Sequence, residues 1–150
     1  MTDKNCLIIG AGDGLGHALA KKFAQEGYDL ALISRTKGGS QIALEAATKA
    51  KPGGRHVYYS GDATQPESLS KTVAKIEADS NGIEILIYNA RGDYTVKEPL
   101  EMTFSDLEEI YRLEVVGAFA ATKILLPSMF QKNKGTIIYS SATAAFRGSG

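Results

Sequence analysis

The sequence is poor in the residues that build disulfide and metal frameworks. Cys6 is the only cysteine among 150 residues, which excludes an internal disulfide and a metal site made of several cysteines. The two histidines, His17 and His56, lie far apart in the sequence and lack the spacing of metal ligands. No metal site is therefore predicted, and Cys6, inside an apolar run, is interpreted as a buried and unreactive thiol.

An excess of charge of one sign and a long apolar run are also missing. The 17 basic residues balance 17 acidic ones, so the composition favours neither nucleic acid nor an anionic membrane as a partner. No uninterrupted apolar run reaches the roughly 18 residues of a membrane-spanning helix, because Lys123 interrupts the best candidate. Asp3 and the short first apolar run do not fit a secretory signal, and we expect a cytoplasmic protein.

What the sequence does have is glycine, concentrated in one early segment. A short apolar run over residues 6–9 is followed by four alternating glycines, at positions 10, 12, 14 and 16. Leu15, Leu19 and Phe23 then recur at intervals of four, so the hydrophobic period changes from that of a strand to that of a helix. This order predicts a strand, a tight turn and the start of a helix within about 20 residues.

The glycine turn has the features of a phosphate site. The first amides of a helix lack intrahelical partners and carry partial positive charge, and glycine lets an anion approach them closely. Leu15 stands where the G-x-G-x-x-G pattern needs its third glycine, so the pattern that fits is G-x-x-x-G-x-G. It uses Gly10, Gly14 and Gly16, with Gly12 and Asp13 between them. We predict a nucleotide phosphate at this turn, and the alternative is an ordinary glycine-rich turn.

Strand and helix patterns alternate along the rest of the chain. Further strands are predicted over residues 28–33, 56–59, 83–87 and 135–141. Ser40 is expected to cap the second helix, Thr64 and Glu67 to form a capping box, and Thr103 to cap a long helix over 105–126. The alternation predicts an α/β protein, with a doubly wound parallel sheet of Rossmann type in three α/β/α layers and the strand order 3-2-1-4-5.

The ends of the predicted strands nominate a site. Ligands bind such sheets at the carboxyl ends of the strands, beside the point where the strand order reverses. The residues at these ends are polar or small, and we expect them to converge on one edge of the sheet. They are Gly10, Ser34, Arg35, Asp62, Asn89, Ala90, Ser140 and Ser141.

In this order and spacing the residues resemble the short-chain dehydrogenase/reductase family over nearly the whole chain. The resemblance rests on the glycine turn, Asp62, the Asn89-Ala90 pair and the strand that ends at residues 140–141. It implies that the turn, Leu15 included, holds the pyrophosphate of a nicotinamide cofactor. Asp62, with the Ala63 backbone beside it, would accept a hydrogen bond from the adenine amino group. Asn89 and Ala90 would lie beside the nicotinamide ribose, and Ser141 would be the catalytic serine.

The end of the second strand bears on the choice of cofactor. Arg35 offers a planar fork of donors matched to phosphate oxygens, and Ser34 and Thr36 add hydroxyl donors. An acidic residue there would instead favour the ribose 2′-hydroxyl of NAD(H). We predict NADP(H) over NAD(H). Asp13 in the glycine turn is a mild counter-argument, and a solvated basic loop is the alternative.

Two residues depart from the family pattern. Arg91 stands where the family has glycine, and Glu114 stands where it has an asparagine that organises a proton-relay water. Helical steps place Glu114 on an inward stripe with Leu107 and Tyr111, where a carboxylate is costly unless it is paired. We expect Arg91, at the cofactor, to pair with Glu114, a candidate catalytic residue. The alternatives for Glu114 are a later lysine, a raised pKa with proton transfer, or a side chain that reaches solvent.

The resemblance also places two catalytic residues outside the sequence. The family's tyrosine and lysine would stand 13 and 17 residues after Ser141, and the last residue here is Gly150. We therefore expect residues 1–150 to be a single NAD(P)-binding domain that is incomplete at its C-terminal end. The parent protein would be an NADP(H)-dependent oxidoreductase that acts on a small carbonyl or alcohol substrate. The alternatives are a non-catalytic cofactor sensor or scaffold, an inactive fragment that only binds cofactor, and a protein that binds a nucleotide-sugar.

A homodimer or homotetramer is expected through the 105–126 helix. Small residues on that helix permit close contact with a second helix, and in the family this helix commonly packs against its copy. The alternative is that the small face packs on the sheet. The residues are Gly117, Ala118, Ala120 and Ala121.

Overall fold

Strands and helices alternate along the chain in the computed structural model, which describes residues 4–92 and 97–147. The strands are β1 (Asn5–Ile9), β2 (Asp29–Ser34), β3 (His56–Ser60), β4 (Ile85–Tyr88) and β5 (Thr136–Tyr139). The helices are α1 (Leu15–Gln25), α2 (Lys37–Ala50), α3 (Pro66–Asp79), α4 (Phe104–Tyr111), α5 (Gly117–Gln131) and α6 (Ala144–Arg147). A π turn over Arg112–Val116 joins α4 to α5.

The five strands form one parallel sheet in the order β3-β2-β1-β4-β5, which confirms the predicted topology. Every residue of β1 and of β4 is buried, because both central strands are covered on two faces. Successive strands are added on one side of β1 as far as β3 and then on its other side from β4 onward, so the strand order reverses between β1 and β4. Their carboxyl ends therefore frame the crevice in which such sheets bind ligands.

The core consists of two apolar clusters, one on each face of the sheet. Leu7 and Ile9 pack with residues of α3 and α5, whereas Cys6 and Ile8 pack with residues of α1 and α2. Successive side chains of a strand point to opposite faces, so β1 contributes to both clusters. Burial of each such leucine or isoleucine side chain is worth about 1.5–3 kcal/mol. Cys6 is fully buried, as predicted, and burial raises the pKa of its thiol.

Two predicted helix caps are wrong, and one is confirmed. α2 begins at Lys37, so Ser40 lies buried within the helix instead of capping it. α3 begins at Pro66 after Gln65, and Thr64 is engaged elsewhere, by Asp62. Thr103 does cap α4, in a reciprocal pair with Asp106.

The long helix that was predicted over 105–126 extends from 104 to 131 and contains the π turn. In that turn the amide of Gly117 bonds to the carbonyl of Arg112, five residues back. The extra residue shifts the helical phase, so steps of three and four do not carry through it. Glu114 is therefore exposed and does not lie on an inward stripe. Leu107 and Tyr111, which were expected on the same stripe, are exposed as well.

The small residues of α5 face inward. Gly117, Ala118, Ala120 and Ala121 are all buried, so the alternative given for them is correct: this face packs on the sheet. Within the helix over Phe104–Gln131, an 18-residue window has a mean hydropathy of 1.5, so by length and composition alone the helix could cross a membrane. Lys123 interrupts the apolar run of this helix, as the sequence indicates, but does not bring the helix below that hydropathy. The packing of the helix against α3 and the sheet is that of a covering helix in an α/β layer.

Candidate functional site

A cleft of about 260 Å³ opens at the carboxyl ends of β1, β2 and β4. It lies at the reversal of strand order, where the sequence predicts the site. Nine predicted site residues line it: Gly10, Gly12, Ser34, Arg35, Asp62, Ala63, Asn89, Ala90 and Arg91. Of the other predicted cofactor contacts, Gly16 is buried, whereas Asp13, Gly14, Leu15 and Thr36 are exposed, and all five lie outside this lining.

Gly10 and Gly16 are required by the packing of the turn itself. Gly10 has φ +87°, and a Cβ there would lie 2.5 Å from the backbone nitrogen of Ala90. A Cβ on Gly16 would lie 2.8 Å from the Cα of Ala11. Neither position has room for a side chain, since the neighbours are backbone atoms that cannot move aside. These two glycines let β1, β4 and α1 approach one another closely.

Gly12 and Gly14 are glycines for a different reason. A Cβ at either position would meet no described atom within 4 Å, so both face open space beside the start of α1. Gly14 is the N-cap of α1 and has no side chain with which to cap the first amides. Those amides and the helix dipole suit an anion. The bare backbone therefore fits the pyrophosphate of a dinucleotide.

Asn89 joins the carboxyl end of β4 to that of β1, and Gly10 joins the end of β1 to β2. Its Nδ2 donates to the carbonyl of Gly10 at 2.9 Å, and its amide donates to the carbonyl of Ile9 at 2.8 Å. The amide of Gly10 donates in turn to the carbonyl of Ile33 at 2.9 Å. The Asn89 amide group thus holds the floor of the cleft in place, and Ala90 follows it directly in the lining.

Asp62 forms one wall of the cleft and is half-buried. Its Oδ1 accepts from the amide of Thr64 at 2.9 Å and from the Thr64 hydroxyl at 2.7 Å. These bonds fix the carboxylate and engage one oxygen, so an incoming donor would use Oδ2. This geometry is compatible with the predicted contact to an amino group. It also explains why Thr64, which was assigned to a helix cap, lines the cleft instead.

The end of β2 presents Arg35 to the cleft. Arg35 is exposed and belongs to the lining. Ser34, by contrast, directs its hydroxyl proton to the carbonyl of Thr36 at 2.7 Å and accepts from the hydroxyl of Ser40 at 2.8 Å. The hydroxyl proton of Ser34 is therefore already engaged in this structure, and the contact of Ser34 with a phosphate stays a prediction. Thr36 is the exposed N-cap of α2.

The π turn contributes Leu113 to the lining of the cleft. Tyr88 donates its hydroxyl hydrogen to the carbonyl of Leu113, and the side of the cleft includes Leu113. Burial raises the pKa of Tyr88, and the negative charges of Glu114 and Asp62 raise it further. Tyr88 therefore stays a neutral hydrogen-bond donor. No sequence pattern pointed to Leu113, because the π turn that orients it leaves no periodic signature. The roles of Arg91 and Glu114, and their pairing, stay predictions.

Ser141 lies just beyond β5 and is exposed. The amide of Ser140 donates to the carbonyl of Tyr88 at 3.0 Å, so the pairing with β4 extends past the end of the strand. Ser141 thus follows the same edge of the sheet as the cleft but is not part of its lining. Its catalytic role stays a prediction.

Comparison with known proteins identifies the class to which this fold and cleft belong. Residues 4–150 match the family described as short chain dehydrogenase, and the chain belongs to that family. The glucose 1-dehydrogenase of Gluconobacter oxydans is 30% identical over 141 residues, which cover 93% of this chain and 52% of that protein.

Solved structures show the same fold. NAD⁺-bound xylitol dehydrogenase superposes with a TM-score of 0.90 at 26% identity, over 99% of this chain and 56% of its own. Levodione reductase superposes with a TM-score of 0.93 over 100% of this chain and 58% of its own, and at 22% identity it shows the fold alone. The chain spans about half the length of the curated relatives it matches.

Proposed function

We propose that the protein containing this chain is an NADP(H)-dependent oxidoreductase that interconverts a small carbonyl compound and its alcohol. The glycine turn would hold the pyrophosphate, Asp62 the adenine, and Asn89 and Ala90 the nicotinamide ribose. When bound, the cofactor supplies or accepts the hydride. Ser141 would orient the substrate oxygen at the edge of the sheet. Membership of the family and the open backbone at Gly12 and Gly14 support a bound dinucleotide.

The observation that carries NADP(H) is the position of Arg35. Arg35 lines the cleft at the end of β2, where the adenosine ribose of a dinucleotide lies in such sheets. The next residues begin α2, whose first turn contains Lys37 and no acidic residue. A planar cation beside a helix N-terminus favours a dianionic 2′-phosphate over a neutral hydroxyl. NAD(H) is the competing cofactor, because the solved xylitol dehydrogenase binds NAD⁺.

A non-catalytic cofactor-binding module is the second candidate function. Arg91 on the cleft lining and the exposed Glu114 depart from the family pattern, and both departures favour this candidate. It retains the cofactor site and lacks hydride transfer. The discriminating observation is the residue 13 positions after Ser141: a tyrosine there, followed by a lysine four positions on, supports the enzyme.

The proposal is tested by titrating the whole protein with NADPH and NADH before and after Arg35→Ala. Loss of a charged hydrogen bond costs about 1.5–3 kcal/mol, so NADPH affinity should fall by about 10- to 100-fold. NADH affinity should change by less than about 3-fold, because the neutral 2′-hydroxyl of NADH makes no charged hydrogen bond with Arg35. Cofactor fluorescence measures both affinities.

Lys49→Ala is the matched control. Lys49 is an exposed cation in the last turn of α2, and its removal changes net charge equally without touching the cleft. It should leave both affinities unchanged. An Arg35→Ala protein that binds NADPH as well as the wild type, or a wild type that binds NADH equally well, contradicts the choice of NADP(H).

A further inference from the structure

Ser40 is a buried hydroxyl that the proposed function does not explain. It is 1% exposed and is one of two buried polar residues in the described ranges 4–92 and 97–147. A hydroxyl removed from water needs a hydrogen-bond partner, and many helical serines find one in their own helix. Ser40 instead donates out of α2 to the Oγ of Ser34 at 2.8 Å. The bond joins the helix to the loop that carries Arg35.

The chain of hydrogen bonds continues along that loop. Having accepted from Ser40, the hydroxyl of Ser34 donates to the carbonyl of Thr36 at 2.7 Å. The two bonds assign both hydroxyl protons and run in one direction, from Ser40 through Ser34 to the backbone beyond Arg35. Such chained hydroxyls polarise and fix one another.

The other side of the loop is held by β3 and the residue after it. The carbonyl of Ser34 accepts from the amide of Gly61 at 3.2 Å and from the hydroxyl of Tyr58 at 3.2 Å. The carbonyl of Arg35 accepts from the hydroxyl of Ser60 at 3.4 Å. Three consecutive carbonyls, those of residues 34 to 36, are therefore each bonded. The backbone that carries Arg35 is fixed, while the Arg35 side chain is exposed to the cleft.

We propose that Ser40 is a positioning residue for cofactor discrimination. Acting through Ser34, it holds the loop so that the Arg35 guanidinium meets the 2′-phosphate of NADP(H). This inference rests on the proposed function. If the backbone that carries Arg35 had to become ordered on binding, the entropy cost would reduce the affinity for the phosphate. A loop that is already ordered avoids that cost. Without the Ser40 hydroxyl, the Ser34 proton can turn elsewhere and the Thr36 carbonyl loses its donor.

The first test compares Ser40→Ala with Thr48→Ala in the whole protein. Removal of one neutral hydrogen bond should lower NADPH affinity by about 3- to 10-fold and NADH affinity by less than about 2-fold. Thr48 lies on the same helix, and its hydroxyl bonds within that helix, to the carbonyl of Leu44 at 2.9 Å. Thr48→Ala should leave both affinities as they are. An equal loss of NADPH and NADH affinity in Ser40→Ala overturns the proposal.

The second test asks whether Ser40 acts through Arg35. In an Arg35→Ala background, Ser40→Ala should have no further effect on NADPH affinity. A further loss there shows that Ser40 merely supports the fold and overturns the proposal. If Ser40→Ala lowers the unfolding temperature too far for titration, Ser40→Cys, whose thiol fills the site but is only a weak donor, replaces it in both comparisons.

The two possible failures are distinguishable. A wild type that binds NADPH and NADH equally contradicts the proposed NADP(H) function, and it does so before any variant is made. A wild type that prefers NADPH, together with an Ser40→Ala protein of unchanged preference, contradicts only the role of Ser40.

Discussion

Gly10 and Gly12 stand two residues apart in the same turn and meet different surroundings. Gly10 is pressed against the backbone of Ala90 with a positive φ, and Gly12 faces open space in the cleft. The sequence pattern treats both as glycines of one motif. The structure separates the glycine that permits the fold from the glycine that leaves room for a ligand.

This difference predicts that alanine lowers stability at Gly10 and cofactor affinity at Gly12. Gly10→Ala should lower the free energy of unfolding by about 3 kcal/mol or more, since it combines a left-handed backbone with a clash. Gly12→Ala should leave the free energy of unfolding within about 0.5 kcal/mol and lower NADPH affinity by at least about 10-fold. Urea unfolding and cofactor titration measure the two effects. A Gly12→Ala protein with wild-type NADPH affinity would place the pyrophosphate elsewhere.

The imidazole of His56 should make the stability of the protein depend on pH. Burial lowers the pKa of this imidazole from the ordinary value of 6.5, and neighbouring Asp29 only partly offsets this. Below pH 6.5 the imidazole of His56 is protonated more readily in the unfolded chain than in the folded protein. The free energy of unfolding should therefore fall as the pH drops through about 6.5. Urea unfolding between about pH 5 and pH 8 should show this slope, and His56→Gln should flatten it. An unchanged slope in His56→Gln would assign the effect to another group.

At the scale of single elements, the helix starts show what a sequence pattern can and cannot predict. Thr103 was predicted as a cap, and in the structure its hydroxyl and the carboxylate of Asp106, three residues on, bond to each other's backbone amides. Thr64 and Ser40 have the same residue chemistry, yet they bond to Asp62 and Ser34. Asp62 lies two residues before Thr64 in the loop after β3, and Ser34 lies six residues before Ser40 at the end of β2. At both places, hydrogen bonds to residues that precede the helix replace the predicted cap.

The confirmed cap predicts a measurable loss. Thr103→Ala should lower the free energy of unfolding by about 1 kcal/mol, because the amide of Asp106 loses its acceptor. Bonds from Lys97 and Thr103 hold the pKa of the Asp106 carboxyl well below its ordinary value, so the cap persists to acid pH. Ser105→Ala is the control: Ser105 is exposed, two residues further on in the first turn of α4, and its loss should leave the free energy of unfolding unchanged. Equal stability of the Thr103→Ala and wild-type proteins in urea would contradict the cap.

At the scale of the whole molecule, apolar runs and strand ends were enough to predict the sheet and most of the cleft. Runs such as residues 6–9 and 85–88 are buried on both faces, and this pattern has few topological solutions. The π turn was not predictable, because it arises where Tyr88 bonds to Leu113 and α5 must fit its small face to the sheet. For that reason Leu113 was missed and Glu114 was placed on the wrong side.

The outer face of the long helix bears on assembly. Four large apolar residues are exposed along this helix and are called the outer stripe: Leu107, Tyr111, Val115 and Phe119, the last by 65%. We expect the whole protein to form a homodimer or homotetramer that covers the outer stripe, instead of the small-residue face named from the sequence. Phe119→Glu should then reduce the assembly mass in sedimentation velocity. Gln131→Glu, with the same added charge at an exposed site of α5, should not. Identical masses for Phe119→Glu and wild type would contradict this interface.

The most direct measurement compares two small probes that differ by one phosphate. Titration calorimetry of the whole protein with 2′,5′-ADP and with 5′-AMP isolates the group that Arg35 is proposed to recognise, independently of catalysis. We predict that 2′,5′-ADP binds at least about 10-fold more tightly, as a charged hydrogen bond implies, and that Arg35→Ala removes the difference. Equal affinities for the two probes in the wild-type protein would contradict the recognition of NADP(H) at this cleft.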